Sequence, residues 1–153
     1  GSVALDSFAG KVVTIDIARR QLTIETPASL KRRIAGARPV ELRLADEVSG
    51  HALMPFLAVQ TPQGKVWMEL DSGSDSSVIV ASHNAALFGM DPEGKGPQAF
   101  RGQLSGGVAL TADNARAMPL ILDGNIGLGI LKTWVVTIDV AHARAWITPS
   151  APN

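Results

Sequence analysis

The sequence predicts an all-β domain: a small closed or partly closed barrel with one or two short helices and an N-terminal β-hairpin extension. Three observations predict it. Short β-branched or alternating runs recur along the chain. Gly and Pro, 15 and 9 in number, punctuate them. At 153 residues and 46% apolar, the chain is one domain long and carries enough apolar side chains for a single core.

Val12 to Ile17 is the first run, and Ala18-Arg19-Arg20 turns it back into Gln21 to Glu25, a hairpin that Pro27 closes. Ala28 to Ile34 is one short helical turn with Lys31, Arg32 and Arg33 as a solvated basic face. Val40 to Leu44 alternates as a strand does. Leu53 to Gln60 and Lys65 to Leu70 flank the turn Thr61-Pro62-Gln63-Gly64, a second hairpin that ends at Asp71. Val78-Ile79-Val80 is a short buried strand. Ser82 then caps a short helix through Phe88, with Gly89 as its stop. Phe100 to Leu110, with Gly102, Gly106 and Gly107, reads as a mobile hairpin, and Met118 to Leu122 as a strand. Gly127 to Lys132 is a helical turn, and Val135 to Ile147 a final hairpin. The domain division is 1–50 for the extension and 51–153 for the main domain. Val12-Val13-Thr14-Ile15-Asp16-Ile17-Ala18 recurs as Val135-Val136-Thr137-Ile138-Asp139-Val140-Ala141, two hairpins of one design.

Composition excludes several function classes. Lys and Arg total 14, as do Asp and Glu, and a net charge of zero argues against nucleic-acid binding. No apolar run approaches the roughly 18 residues of a membrane span. There is no cysteine, hence no disulfide, thiol catalysis or thiolate metal site. His51, His83 and His142 lie far apart, so no metal site and no cofactor is expected. Gly1-Ser2 ahead of Val3 has the form of a tag-cleavage remnant, with the natural N-terminus and any leader upstream of it. Trp67, Trp134 and Trp146 read as core or interface anchors, and His83 as a surface residue.

The segment that carries chemistry runs from Trp67 to Val80, where a strand ends in Asp71-Ser72-Gly73 and a polar loop leads to a second apolar strand. A carboxylate at a strand-to-loop junction is firmly held and suits acid–base work on a water. Gly73 permits a tight turn beside it. Ser72 supplies a hydroxyl for a neighbouring backbone or subunit. Taken alone, the tripeptide also fits an Asx-type turn between strands. A second element lies about fifty residues downstream, where Asn125-Ile126-Gly127 comes after an apolar run.

The pair resembles the retropepsin-like aspartic proteases, the retroviral enzymes and their bacterial relatives. Asp71-Ser72-Gly73-Ser74 matches their Asp-Thr/Ser-Gly-Ala/Ser motif. Asn125-Ile126-Gly127 approximates the apolar-apolar-Gly element that passes behind the catalytic loop. The resemblance covers roughly Leu53 to Thr148, and the stretch before it has no counterpart in the minimal retroviral enzyme. It implies a retropepsin-like fold and an endopeptidase acting on polypeptide substrates, with one catalytic aspartate, Asp71, from each subunit of a homodimer. Two such carboxylates share one proton and activate a water between them. Ser72 would hydrogen-bond across the two-fold axis. Ile126 and Gly127 would support the catalytic loop. Phe100 to Leu110 stands where the family has its flap, with Gly106-Gly107 at the tip. Asp75 matches a position that contacts substrate backbone. The bacterial members imply a secreted or periplasmic location.

Two departures touch substrate placement. The arginine that pairs with the Asp75 position in retroviral enzymes is here Leu128, and Asn125 replaces an apolar residue. Other readings of these residues are weaker. A phosphorylation-dependent degradation signal needs disordered chain, whereas Leu70 and Val78-Ile79-Val80 bracket this one. An EF-hand loop needs glycine at its sixth position and glutamate at its twelfth, where Ser76 and Ser82 stand. Gly124, Gly127 and Gly129 do not fit the dinucleotide order. No G-x-S-x-G surrounds Ser74. The remaining alternative keeps the fold and drops the chemistry: an inactive retropepsin-like domain used for protein binding or dimerisation.

Overall fold

The structure is a computed structural model that describes residues 5–47 and 52–150. His51 lies outside them. The chain order is β1 (Val12–Asp16), β2 (Gln21–Ile24), α1 (Pro27–Ile34), β3 (Arg38–Glu47), β4 (Ala52–Thr61), β5 (Gly64–Leu70), β6 (Val78–Ala81), β7 (Gln98–Gln103), β8 (Ala109–Met118), β9 (Gly124–Ile126), α2 (Leu128–Leu131), β10 (Trp134–Asp139) and β11 (Arg144–Pro149). Three 3₁₀ segments, Leu5–Phe8, Ser82–Phe88 and Ser105–Gly107, complete the described residues.

The strands form one 11-stranded sheet in the order β2-β1-β10-β11-β3-β4-β5-β9-β6-β8-β7. The molecule is therefore all-β, but the closed or partly closed barrel expected from the sequence is corrected to an open sheet whose edges, among the described residues, are β2 and β7. Closure would require those edges to pair with each other. Instead, the chain just past β7 makes one isolated bridge, from Leu104 to Val59 on β4. Inward side chains such as Val13, Leu57, Met68, Val78, Phe100, Ile126 and Ile138 lose nearly all contact with water and form one core.

Local chemistry accounts for most departures from the expected elements. α1 is a full eight-residue helix. Thr26 and Ser29 cap each other's backbone N–H groups, and Pro27 stands in the first turn, where its missing N–H costs nothing. Ser82 does not cap its helix. Its hydroxyl donates to the Pro92 carbonyl (3.2 Å), and the segment is 3₁₀, stopped by Gly89 in the left-handed region (φ 69°). The strand expected over 118–122 is instead the end of β8, succeeded by irregular chain in which Ile121 is fully exposed.

The two copies of the repeated segment lie side by side. β1 and β10 pair antiparallel about Thr14 and Thr137, whose hydroxyls meet at 2.9 Å. Asp16 accepts from the Arg19 backbone N–H and guanidinium. Asp139 accepts from the His142 backbone N–H (3.2 Å) and Arg144 (2.6 Å), and its carboxyl meets the His142 ring at 3.0 Å. Each turn then places the fourth residue after its aspartate, Arg20 or Ala143, at positive φ.

Burial opposes ionisation of Asp16, Glu25 and Asp139, but their donors outweigh it. Arg19 serves Asp16, Ser29 with Thr14 and Arg33 serves Glu25, and Arg144 with His142 serves Asp139, so all three carboxyls sit below the ordinary carboxylate range. A lowered folded-state pKa means that the unfolded chain takes up protons first. The contribution is therefore complete above the ordinary value near 4 and is lost as pH falls through the folded values. We expect urea midpoints to be flat from about pH 7 to 5. Below that, stability should drop by up to about 1.4 kcal/mol per pH unit for each group. Asp139→Asn should shallow that slope, and an unchanged slope would remove Asp139 from the account.

Candidate active site

β5 alternates, with Val66 and Met68 buried on the core face, and delivers the chain to Asp71. The path of the chain beyond Asp71 is set by β9. That strand lies between β5 and β6, parallel to the first (Met68 with Gly124, Leu70 with Ile126) and antiparallel to the second (Val78 with Ile126). The loop between β5 and β6 must therefore arch over the end of β9. The Asp71 N–H donates to the Ile126 carbonyl (3.0 Å), Gly127 N–H to Ser77 (2.9 Å) and Leu128 N–H to Ser74 (2.9 Å).

Gly127 lets the segments close on one another. A Cβ there would stand 2.1 Å from the Ser76 carbonyl oxygen and 2.9 Å from that of Ser74. Ile126 is fully buried beneath the loop.

Both oxygens of Asp71 are held. Oδ1 accepts from the Gly73 N–H (2.9 Å), closing a turn whose backbone bond runs from Ser74 N–H to the Asp71 carbonyl (3.2 Å). Oδ2 accepts from Asn125 Nδ2 (2.9 Å). The other amide atom of Asn125, Oδ1, is buried without a hydrogen-bond partner. A carboxylate oxygen can accept two bonds, so each Asp71 oxygen retains one acceptor position for a water or a substrate group.

Asp71 and Ser72 line a cavity of about 510 Å³ whose walls are otherwise almost wholly apolar. The buried carboxyl of Glu69 lines it too, two residues before Asp71 and therefore on the same face of β5. Asp75 is exposed and makes no hydrogen bond or ion pair with the described residues.

Gly106 and Gly107 are not among the residues that line the cavity beside Asp71. Ser105 Oγ accepts from the Glu41 N–H (2.5 Å), and Gly106, at φ 76°, sits so close to the Pro39 carbonyl that a Cβ would be 2.0 Å from its oxygen. The neighbouring bridge reaches Val59, four residues along β4 from the cavity residue Pro55, or roughly 13 Å away. In this chain the hairpin tip expected to act as a flap rests on β3, where Ser105 and the left-handed Gly106 dock it.

Asn125 and Glu69 were not singled out by sequence reasoning as site residues. Asn125 left a signal, a polar residue where the pattern called for an apolar one. Glu69 left only its even spacing from Asp71. Asp123 is structural: it accepts from the Trp67 N–H (2.8 Å) and Asn84 (3.0 Å), with the exposed His83 ring 3.8 Å away. Trp134 is buried, whereas Trp67 lies under Arg43 and Lys65, and Trp146 under Arg144. Among the described residues no cluster of three His, Asp or Glu side chains is placed to hold a metal ion, and no helix is long and apolar enough to cross a membrane.

No protein-family model matches the sequence. No curated protein is significantly similar to it. Among solved structures the chain is similar to the basic 7S globulin from soybean, with a TM-score of 0.57 and 10% identity over 96% of this chain and 53% of the globulin chain. The chain thus spans about half the length of that structure, and at this identity the likeness is one of fold.

Proposed function

We propose that the chain is one subunit of a homodimeric aspartic endopeptidase of the retropepsin-like kind, with Asp71 as its catalytic carboxylate. The supporting observation is the clamp around Asp71: a carboxylate at a strand end that lines a cavity, on a loop crossed by β9, with Gly127 just past the end of β9 packed against the loop carbonyls. Such an arrangement holds a charged group in one geometry, the requirement for acid–base work on a bound water.

In the proposed reaction one Asp71 is ionised and its counterpart in the second subunit carries the shared proton. The ionised carboxylate accepts a proton from water as the water oxygen bonds to the peptide carbonyl carbon. The protonated one donates to the carbonyl oxygen. Proton transfer to the amide nitrogen then breaks the carbon–nitrogen bond. Gly73 and Asn125 orient the carboxylate through its two oxygens. Each chain carries one Asp-Ser-Gly, so the pair exists only in the dimer.

The test is hydrolysis of an unstructured protein at mildly acidic pH, monitored against subunit concentration with and without an aspartic-protease inhibitor. Inhibitable cleavage whose rate per subunit falls on dilution is expected. Rate per subunit independent of dilution, down to concentrations at which sedimentation shows monomers, would rule out the shared pair. A stable dimer that cleaves nothing would leave the fold as a binding or dimerisation module.

A further inference from the structure

We propose that Asn125 is a positioning residue for both protonation states of Asp71: its side-chain amide donates to the ionised carboxylate and turns over to accept from the protonated one. The inference deepens the peptidase reading and rests on it for the turnover in which the proton moves.

The backbone of Asn125 is fixed, because β9 carries it between Glu69 on β5 and Ile79 on β6. From there its Nδ2 stands 2.9 Å from Asp71 Oδ2, while its own Oδ1 is buried and has no hydrogen-bond partner. An ionised carboxylate only accepts, so it requires the nitrogen in that place. A protonated Asp71 Oδ2 is a donor, and two donors would then face each other. A half-turn about the last side-chain bond, a broad and roughly two-fold torsion, puts the amide oxygen there instead. The turn breaks no bond of that oxygen, which has none to lose. The other carboxyl oxygen differs. Asp71 Oδ1 faces the Gly73 N–H at 2.9 Å, a backbone donor that has no accepting orientation. The proton of the acid form therefore belongs on Oδ2, beside a neighbour able to accept it. In turnover, the carboxylate that takes a proton from the attacking water holds it on Oδ2, and the Asn125 amide turns to accept from the new hydroxyl. The turn reverses when the proton passes to the leaving nitrogen. An apolar side chain at 125 would serve neither state.

The first measurement needs no catalysis. Neutron diffraction from crystals of the wild-type protein, equilibrated with Asp71 ionised and with it protonated, locates the deuterons. The ionised form should show Asn125 Nδ2 donating to Asp71 Oδ2. The acid form should show a deuteron on Asp71 Oδ2 pointing at Asn125 Oδ1. Other titrating groups stand around the pair: Glu69 across the ladder from Asn125, Asp75 on the loop, and Asp123 two residues before Asn125 with His83 beside it. β6, on the other side, carries none. Diffraction reads each of these protons separately. One amide orientation in both forms would overturn the proposal. The second measurement is Asn125→Leu, which keeps the branched shape without donor or acceptor. Its kcat should fall about a hundredfold with KM within about twofold of wild type, as for a misaimed group whose neighbour does not touch substrate. Its unfolding midpoint should stay close to wild type, because the change also removes a buried acceptor that has no partner. An unchanged kcat, or a loss confined to KM, would overturn the proposal. Should Asn125→Leu not fold, diffraction from wild type decides alone. A wild type that cleaves nothing while the amide turns with the Asp71 proton would overturn the peptidase reading and leave the turn in place. Cleavage that Asp71→Asn abolishes, with the Asn125 amide fixed in both forms, would do the reverse.

Discussion

Asp71→Asn should reduce peptide hydrolysis by about ten-thousand-fold or more, the scale on which a group that bonds or transfers protons in the transition state acts. The fold should survive. An asparagine oxygen can still accept from the Gly73 N–H, and its amide nitrogen then faces Asn125. Two amide donors would oppose each other there, but a half-turn of the Asn125 amide presents its oxygen instead. That oxygen has no hydrogen-bond partner in the native protein, so the turn forfeits no bond on its own side. Thermal midpoint and sedimentation should therefore stay close to wild type while turnover vanishes. Hydrolysis at the wild-type rate by the variant would end the assignment of Asp71. A variant that is both inactive and unfolded would instead make the carboxylate a structural group, and Asp71→Glu, which keeps the charge, would then fail to fold as well.

Much of this site is legible in local pattern. The alternation of Val66 and Met68 ends at Asp71, so the strand and its terminal carboxylate can be found in one window of sequence. The repeated Val-Val-Thr-Ile-Asp segments announce two like hairpins, and they are alike down to the aspartate that takes its own turn's N–H. The features that escape the window depend on partners far along the chain. Asn125 reaches Asp71 across 54 residues, and only the insertion of β9 between β5 and β6 brings them together. The anchoring of the β7–β8 tip depends on Pro39 and Glu41, more than sixty positions earlier, as the separation of 64 between Glu41 and Ser105 shows. Apolar content misled at 118–122, where Leu120, Ile121 and Leu122 suggest a strand but lie in irregular chain beyond the end of β8. Barrel closure is a property of both edges at once, and no single strand's pattern encodes it.

Gly127→Ala should destabilise the fold by about 3 kcal/mol, through overpacking against backbone and the loss of backbone hydrogen bonds at about 1 kcal/mol each. Backbone conformation contributes nothing to this figure, because Gly127 adopts φ −95°, which alanine also adopts. The cost is contact. The added methyl would overlap the Ser76 carbonyl oxygen at 2.1 Å, and that carbonyl cannot simply retreat. Its neighbours Ser74 and Ser77 accept from Leu128 and Gly127, so moving the loop away strains the bonds that hold Asp71 over β9. Gly36→Ala is the control. No atom lies within 4 Å of its added methyl, so that change should be neutral or stabilising by a few tenths of a kcal/mol. Urea unfolding of the two variants checks both values. Against a total of about 5–15 kcal/mol for a domain, the Gly127 change would leave a folded but weakened protein. Its remaining activity should fall further than its folded fraction, since the displaced loop is the one that aims the carboxylate. Equal midpoints for Gly127→Ala and Gly36→Ala would mean that the loop gives way freely, and the rigid clamp on which the peptidase reading depends would be lost with it.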